Sequence, residues 1–120
     1  MKRLALAIVA LGSQAAMSFA GPPEPKEVVL EFLKQMQAGN VDRSKLGEEF
    51  NFYLTDERVK AASPRLKELG EPEKLEADAP SERGGMEVVR VTLTFKTARL
   101  RASLYRSADG KIEQLLFYGE

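Results

Sequence analysis

The side chains here that could do chemistry are carboxylates, hydroxyls, phenols and guanidinium groups, because the 120 residues include no Cys and no His. Without Cys there is no thiolate nucleophile, zinc–thiolate centre, disulfide or lipid-modified cysteine. Without His there is no imidazole base for a catalytic triad of the usual kind and no imidazole metal ligand. No serine sits in a G-x-S-x-G or S-x-x-K pattern, the two local arrangements that expose or activate a serine nucleophile. There is no P-loop, dinucleotide fingerprint or EF-hand spacing. A carboxylate in an apolar pocket, its pKa raised, could still act as a base without His. Asp42, Glu48 and Glu49 with Tyr53 or Tyr105 are the candidates. Nothing in their spacing selects them. Asp42 reads more simply as a cap, and Glu48 and Glu49 as a solvated pair. No catalytic residue, cofactor or metal is expected.

The guanidinium groups make a surface rather than a catalyst, and placing them requires the elements. Pro25 suits a first helical turn, where its missing N–H is harmless. Val29, Phe32, Leu33 and Met36 then recur at i, i+3, i+4 and i+7, one apolar helical face. Gly39-Asn40 stops that helix. Asp42 or Ser44 can cap a short turn carrying Leu46. Phe50 to Leu54 is the densest aromatic stretch and reads as a core-forming connector. Thr55 is a good N-cap for a second stripe, Val59, Ala62, Leu66 and Leu69. Pro64 interrupts it, which predicts a kink or two short helices with Ser63 capping the second. Gly70 ends the helical region.

Beyond Gly70 the period changes to two. Lys74 to Arg83 reads as a polar edge strand with Pro80 inside it. Gly84-Gly85 is a tight turn. Met86 to Phe95, Ala98 to Arg106 and Ile112 to Tyr118 read as strands, the last two joined at Asp109-Gly110. A two-residue loop at Lys96-Thr97 sets Phe95 opposite Ala98, Leu93 opposite Leu100, Val91 opposite Ala102 and Val89 opposite Leu104. That face is wholly apolar. The other face pairs Thr94 with Arg99, Thr92 with Arg101, Arg90 with Ser103 and Val88 with Tyr105. A one-residue slip would mix the faces, so the pattern specifies the register. Ile112 differs in parity from Leu115 and Phe117, and a bulge near Glu113 or Gln114 would point all three inward. Helices followed by antiparallel strands define an α+β domain of about four strands, with the first helix across the Val89/Val91/Leu93/Phe95 face. The outward face then gathers Arg90, Arg99, Arg101 and Tyr105, which are the candidate binding residues. Arg and Tyr are enriched in interface hot spots. Val88, Leu116 and Tyr118 add apolar area beside them.

Residues 1–20 read as an export signal. Lys2 and Arg3 precede the apolar run Leu4 to Leu11, and Ser18 and Ala20 flank Phe19 in an S-x-A cleavage pattern, with the cut after Ala20. Eight strongly apolar residues are too few for a span, which needs about 20. The expectation is a periplasmic or secreted bacterial protein, its single domain covering residues 21–120, with no membrane contact after cleavage. The whole chain balances 18 Lys and Arg against 18 Asp and Glu, so loss of Lys2 and Arg3 leaves a net charge of −2. A weakly acidic domain is a poor nucleic-acid binder. A homodimer or an exported protein partner is expected instead.

One long amphipathic helix, a helical connector and a closing antiparallel meander resemble the cystatin-like roll, and within it the small nuclear-transport-factor-2-like (SnoaL-like) domains. Glu82-Arg83-Gly84-Gly85-Met86 through Leu104-Tyr105, and Asp109-Gly110-Lys111-Ile112-Glu113-Gln114-Leu115-Leu116, look like segments of exported bacterial domains of unknown function that accompany secreted serine hydrolases. The resemblance covers most of residues 25–120, and its residues mark turns and strand starts rather than chemistry. It implies a non-catalytic accessory role, or alternatively a small-molecule site or cavity enzyme using a buried carboxylate. Gln35-Met36-Gln37-Ala38-Gly39 matches the Q-x-x-x-G of cystatin inhibitors in letters only. That motif belongs on a hairpin loop, whereas here it ends a helix.

Overall fold

A computed structural model describes residues 23–119, so the leader read at residues 1–20 lies outside the described residues. Helix α1 spans Pro25–Ala38, and a single 3-10 turn, Arg43–Lys45, leads to α2 (Glu48–Tyr53) and α3 (Asp56–Leu69). The strands follow as β1 (Lys74–Ala77), β2 (Ser81–Arg83), β3 (Met86–Thr94), β4 (Arg99–Arg106) and β5 (Ile112–Gly119). This is the expected α+β layout: helices, then one open antiparallel sheet in the order β1-β3-β4-β5, with β2 also paired to β3.

The helix boundaries follow from local chemistry. Pro25 opens α1, and Gly39, at φ 74°, closes it. The Asp42 carboxylate caps the 3-10 turn by accepting from the Ser44 backbone N–H. The Thr55 hydroxyl caps α3 by accepting from the Arg58 N–H at 3.2 Å. Pro64 does not split α3 into the two short helices that were one of the expected outcomes, for the helix runs continuously through it. Nor does Ser63 cap anything. Its hydroxyl donates to the Gln37 carbonyl at 2.8 Å, while the Gln37 side chain donates to the Leu66 and Gly70 carbonyls, each at 2.9 Å. Those bonds tie α3 to α1 on both sides of the proline and satisfy carbonyls at the helix end. Gln35 and Gln37, the polar members of the Q-x-x-x-G stretch, are thus structural. Gln35 accepts from the Asp42 N–H at 2.9 Å.

The β3–β4 hairpin has the register read from the sequence, from Thr94 opposite Arg99 to Val88 opposite Tyr105. Its loop is closed by the Phe95 N–H donating to the Ala98 carbonyl at 2.8 Å. The edge strand expected over residues 74–83 is two short strands, which makes five among the described residues. The Asp78 N–H still donates to the Arg90 carbonyl, at 2.9 Å. Pro80 then offers no donor to the ladder, and pairing resumes only at Ser81. Gly84 and Gly85, at φ 60° and 81°, turn the chain from β2 into β3, a conformation that side chains with a Cβ resist.

The expected bulge falls at Glu113. Tyr105 pairs with Gln114 and Arg106 with Ile112, leaving Glu113 out of the ladder. Ile112 and Leu115 are buried as a result, with Phe117 packed against the same core. The Glu113 carboxylate lies over Gly47, where an added Cβ would meet it at 2.5 Å. The Gly47 N–H donates to the Ile112 carbonyl at 2.7 Å, anchoring the connector beside the bulge.

Val29, Phe32, Leu33 and Met36 of α1 bury against Val89, Val91, Leu93, Ala102, Leu104 and Leu115 of the sheet. The Phe32 ring sits 6.1 Å from Phe50 and 6.0 Å from Phe117. Phe50 and Leu54 make the aromatic connector part of the core, but Phe52 does not turn inward: it is 86 % exposed. Two residues along a helix turn the side chain through about 200°, so burying Phe50 sends Phe52 outward.

Candidate functional site

Among the described residues the sheet has one face covered by helices and one that no helix covers. The helices pack on the inward face or beside β5, and the residues of opposite parity look outward. Register places Arg90 at the centre of that outward face, opposite Ser103, with Arg101 and Tyr105 as its two diagonal neighbours on β4. Arg99 stands one step beyond Arg101, opposite Thr94 near the hairpin loop. The four predicted residues therefore share one face, but only Arg90 and Tyr105 line the same recess. It measures about 240 Å³, and Asp78, Ala79, Ser81, Arg83, Val88 and Ser103 complete its wall and floor beside the break in the edge strand. Arg83 was not among the expected residues; its own parity, opposite Met86, puts it there.

β5 extends the surface. Tyr118 pairs with Arg101 and Leu116 with Ser103, and these apolar side chains remain 44 % and 36 % exposed. The Tyr118 and Ser103 hydroxyls share a hydrogen bond. The resulting patch mixes guanidinium groups, phenols and the aliphatic side chains of Val88 and Leu116 across three strands.

The cavity candidates do not converge. Asp42 is a solvent-facing cap, and the Ser44 hydroxyl and backbone N–H hold its carboxyl below the usual carboxylate range. The Ser107 hydroxyl and the Lys111 N–H do the same for Asp109 in the β4–β5 turn. Glu48 and Glu49 are exposed in the first turn of α2, Tyr53 lies on the helix side and Tyr105 on the outward sheet face. No carboxylate of the described residues is buried. A hollow of about 340 Å³ between α1 and the β4–β5 turn is bordered by Glu27, Glu31 and Asp42, all solvent-facing. Among the described residues no group of three or more acidic side chains is placed to hold a metal ion. No described helix is long and apolar enough to cross a membrane.

Compared with family models, curated proteins and solved structures, the chain gives no significant match.

Sequence reasoning missed one buried charge. Arg106, only 4 % exposed, donates to Glu87 Oε1 through Nε at 3.1 Å and Nη2 at 2.7 Å, and through Nη1 to the Pro23 carbonyl at 2.9 Å. Extending the hairpin register by one inward pair past Val89 and Leu104 reaches Glu87 and Arg106. The signal was present, as an ion pair on an otherwise apolar face.

Proposed function

We propose that this chain is an exported, non-catalytic binding or accessory domain that acts through protein–protein contact on the outward face of its sheet. The observation that carries the reading is that face itself. It is spanned by β3, β4 and β5, left open by the helices, and set with Arg90, Arg101 and Tyr105 beside the exposed Leu116 and Tyr118. Arg and Tyr present large contact areas with polar tips, so they bind a partner without compromising solubility alone. The partner it suits is an exported protein offering carboxylates around an apolar centre, or a second copy of this chain. The order of elements supports placing the domain with the small nuclear-transport-factor-2-like folds, and the S-x-A leader supports a periplasmic or secreted location.

The test is a triple Arg90→Ala, Arg99→Ala, Arg101→Ala variant of the mature chain, measured by sedimentation against concentration and by capture of exported proteins. Each substitution is expected to weaken self-association or partner capture by about 1–2 kcal/mol. Each should move folding stability by less than about 0.5 kcal/mol. A variant that folds, sediments and captures the same proteins as the wild type would show that this face binds nothing.

A further inference from the structure

A cleft of about 480 Å³ opens on the helix side of the molecule, between α3 and β5. Phe32 and Met36 of α1, Ala62 and Leu66 of α3, and Leu115 and Phe117 of β5 make its apolar lining. Small-molecule sites commonly have this size and this character, an apolar hollow with a few polar groups. Here the polar groups are unusually uniform. Among the described residues, Arg58 and Arg65 are the only charged side chains that line the cleft. They stand seven residues apart on α3, two turns along one helical stripe, with Ala61 and Ala62 between them. The alanines leave room where any longer side chain would fill the gap.

Arg58 is held in place rather than free to wander. Its guanidinium carbon lies 4.2 Å from the centroid of the Tyr53 ring, and that ring stacks on Phe50 at 6.3 Å. The Thr55 cap fixes the backbone of the same residue. No carboxylate of the described residues pairs with Arg58 or Arg65. Two positive groups without a countercharge, set over an apolar floor, select an anion with an apolar body.

We propose that this cleft binds a small amphipathic monocarboxylate, its chain or ring on the Phe32/Met36/Leu115 floor and its carboxylate at Arg58 and Arg65. The guanidinium fork suits a carboxylate in two-point contact. A phosphate group would need further donors, and the rest of the lining is almost wholly apolar. This site is independent of the sheet-face reading and stands if that reading fails.

Decanoate is the probe, with decanol and decyltrimethylammonium as neutral and cationic partners of equal chain length, followed by methyl NMR on the mature protein. Decanoate should bind saturably and shift the methyl groups of Met36, Leu66 and Leu115. It should bind about fivefold more tightly than either partner, the scale of one exposed ion pair. An Arg58→Gln/Arg65→Gln variant should abolish that preference while decanol binding is unchanged. Arg65→Gln alone, which leaves the Tyr53 stack intact, should reduce it. Ala61→Leu, which narrows the cleft from an exposed position, should weaken all three ligands. The proposal is overturned by any of three results: no saturation at millimolar decanoate, equal affinity for the three head groups, or shifts confined to the hollow around Val28, Leu46 and Ile112.

Discussion

Arg106 shows how a buried charge can be tolerated in a small core. A guanidinium cannot shed its proton, so burial demands partners. Glu87 and the Pro23 carbonyl supply them. Because the Glu87 side chain is itself partly solvated, the pair costs less to form than a wholly buried one. Removing Glu87 still leaves a buried cation with one carbonyl. Glu87→Ala is therefore expected to destabilise by about 1–3 kcal/mol, below the loss for a fully buried pair. The double variant Glu87→Leu/Arg106→Met should recover most of this, since apolar replacements of buried pairs are often near neutral. Urea unfolding of the single and double variants measures both. A loss below about 0.5 kcal/mol for Glu87→Ala, the range of ordinary surface changes, would show that the pair is dispensable.

At the scale of elements, two devices hold the layout. The first is the β3–β4 hairpin, whose large and small apolar residues oppose each other across the inward face. Leu93 is fully buried there, opposite Leu100 and between Val91 and Phe95. Leu93→Ala should cost about 2–5 kcal/mol, the lost transfer energy plus the cavity left behind. A thermal or chemical unfolding curve checks it, and a cost near zero would mean that β3 is turned over. The second device is the Gln37–Ser63 exchange between α1 and α3. Pro64 removes one backbone bond from α3, and the tertiary bonds around it compensate by holding the helix against α1 on both sides of the proline.

For the molecule as a whole, the junction between leader and domain is the informative point. Cleavage after Ala20 leaves Gly21 and Pro22 ahead of Pro23, whose carbonyl Arg106 holds at 2.9 Å. The predicted cut thus spares the anchor and frees everything before it. Intact-mass measurement of the exported protein should give the mass of residues 21–120. The full-length mass in a membrane fraction would contradict both the leader and the export reading. The open sheet face and the α3–β5 cleft share Leu116 but none of the arginines, so the Arg90/Arg99/Arg101 and Arg58/Arg65 variants report separately.

What the sequence determined by itself was direction along each element. Alternation told which residues of β3 and β4 look inward, the parity break at Ile112 told that a bulge was needed, and Thr55, Gly39 and Asp42 marked helix ends. These are local rules of backbone geometry, and they also put Arg90, Arg99, Arg101 and Tyr105 on one face. The split of the edge strand was half visible, in Pro80. Other features had no local signal. Phe52 was exposed because Phe50 had won the core. Pro64 was absorbed because Gln37, 27 residues earlier in the chain, reached the end of α3. Arg58 and Arg65 became neighbours of Leu115 and Phe117 only when α3 came to rest beside β5. Periodicity says which way a side chain points from its own element. Whether two elements close on each other or leave a cleft depends on packing between segments about 50 residues apart, and only the tertiary structure decides that.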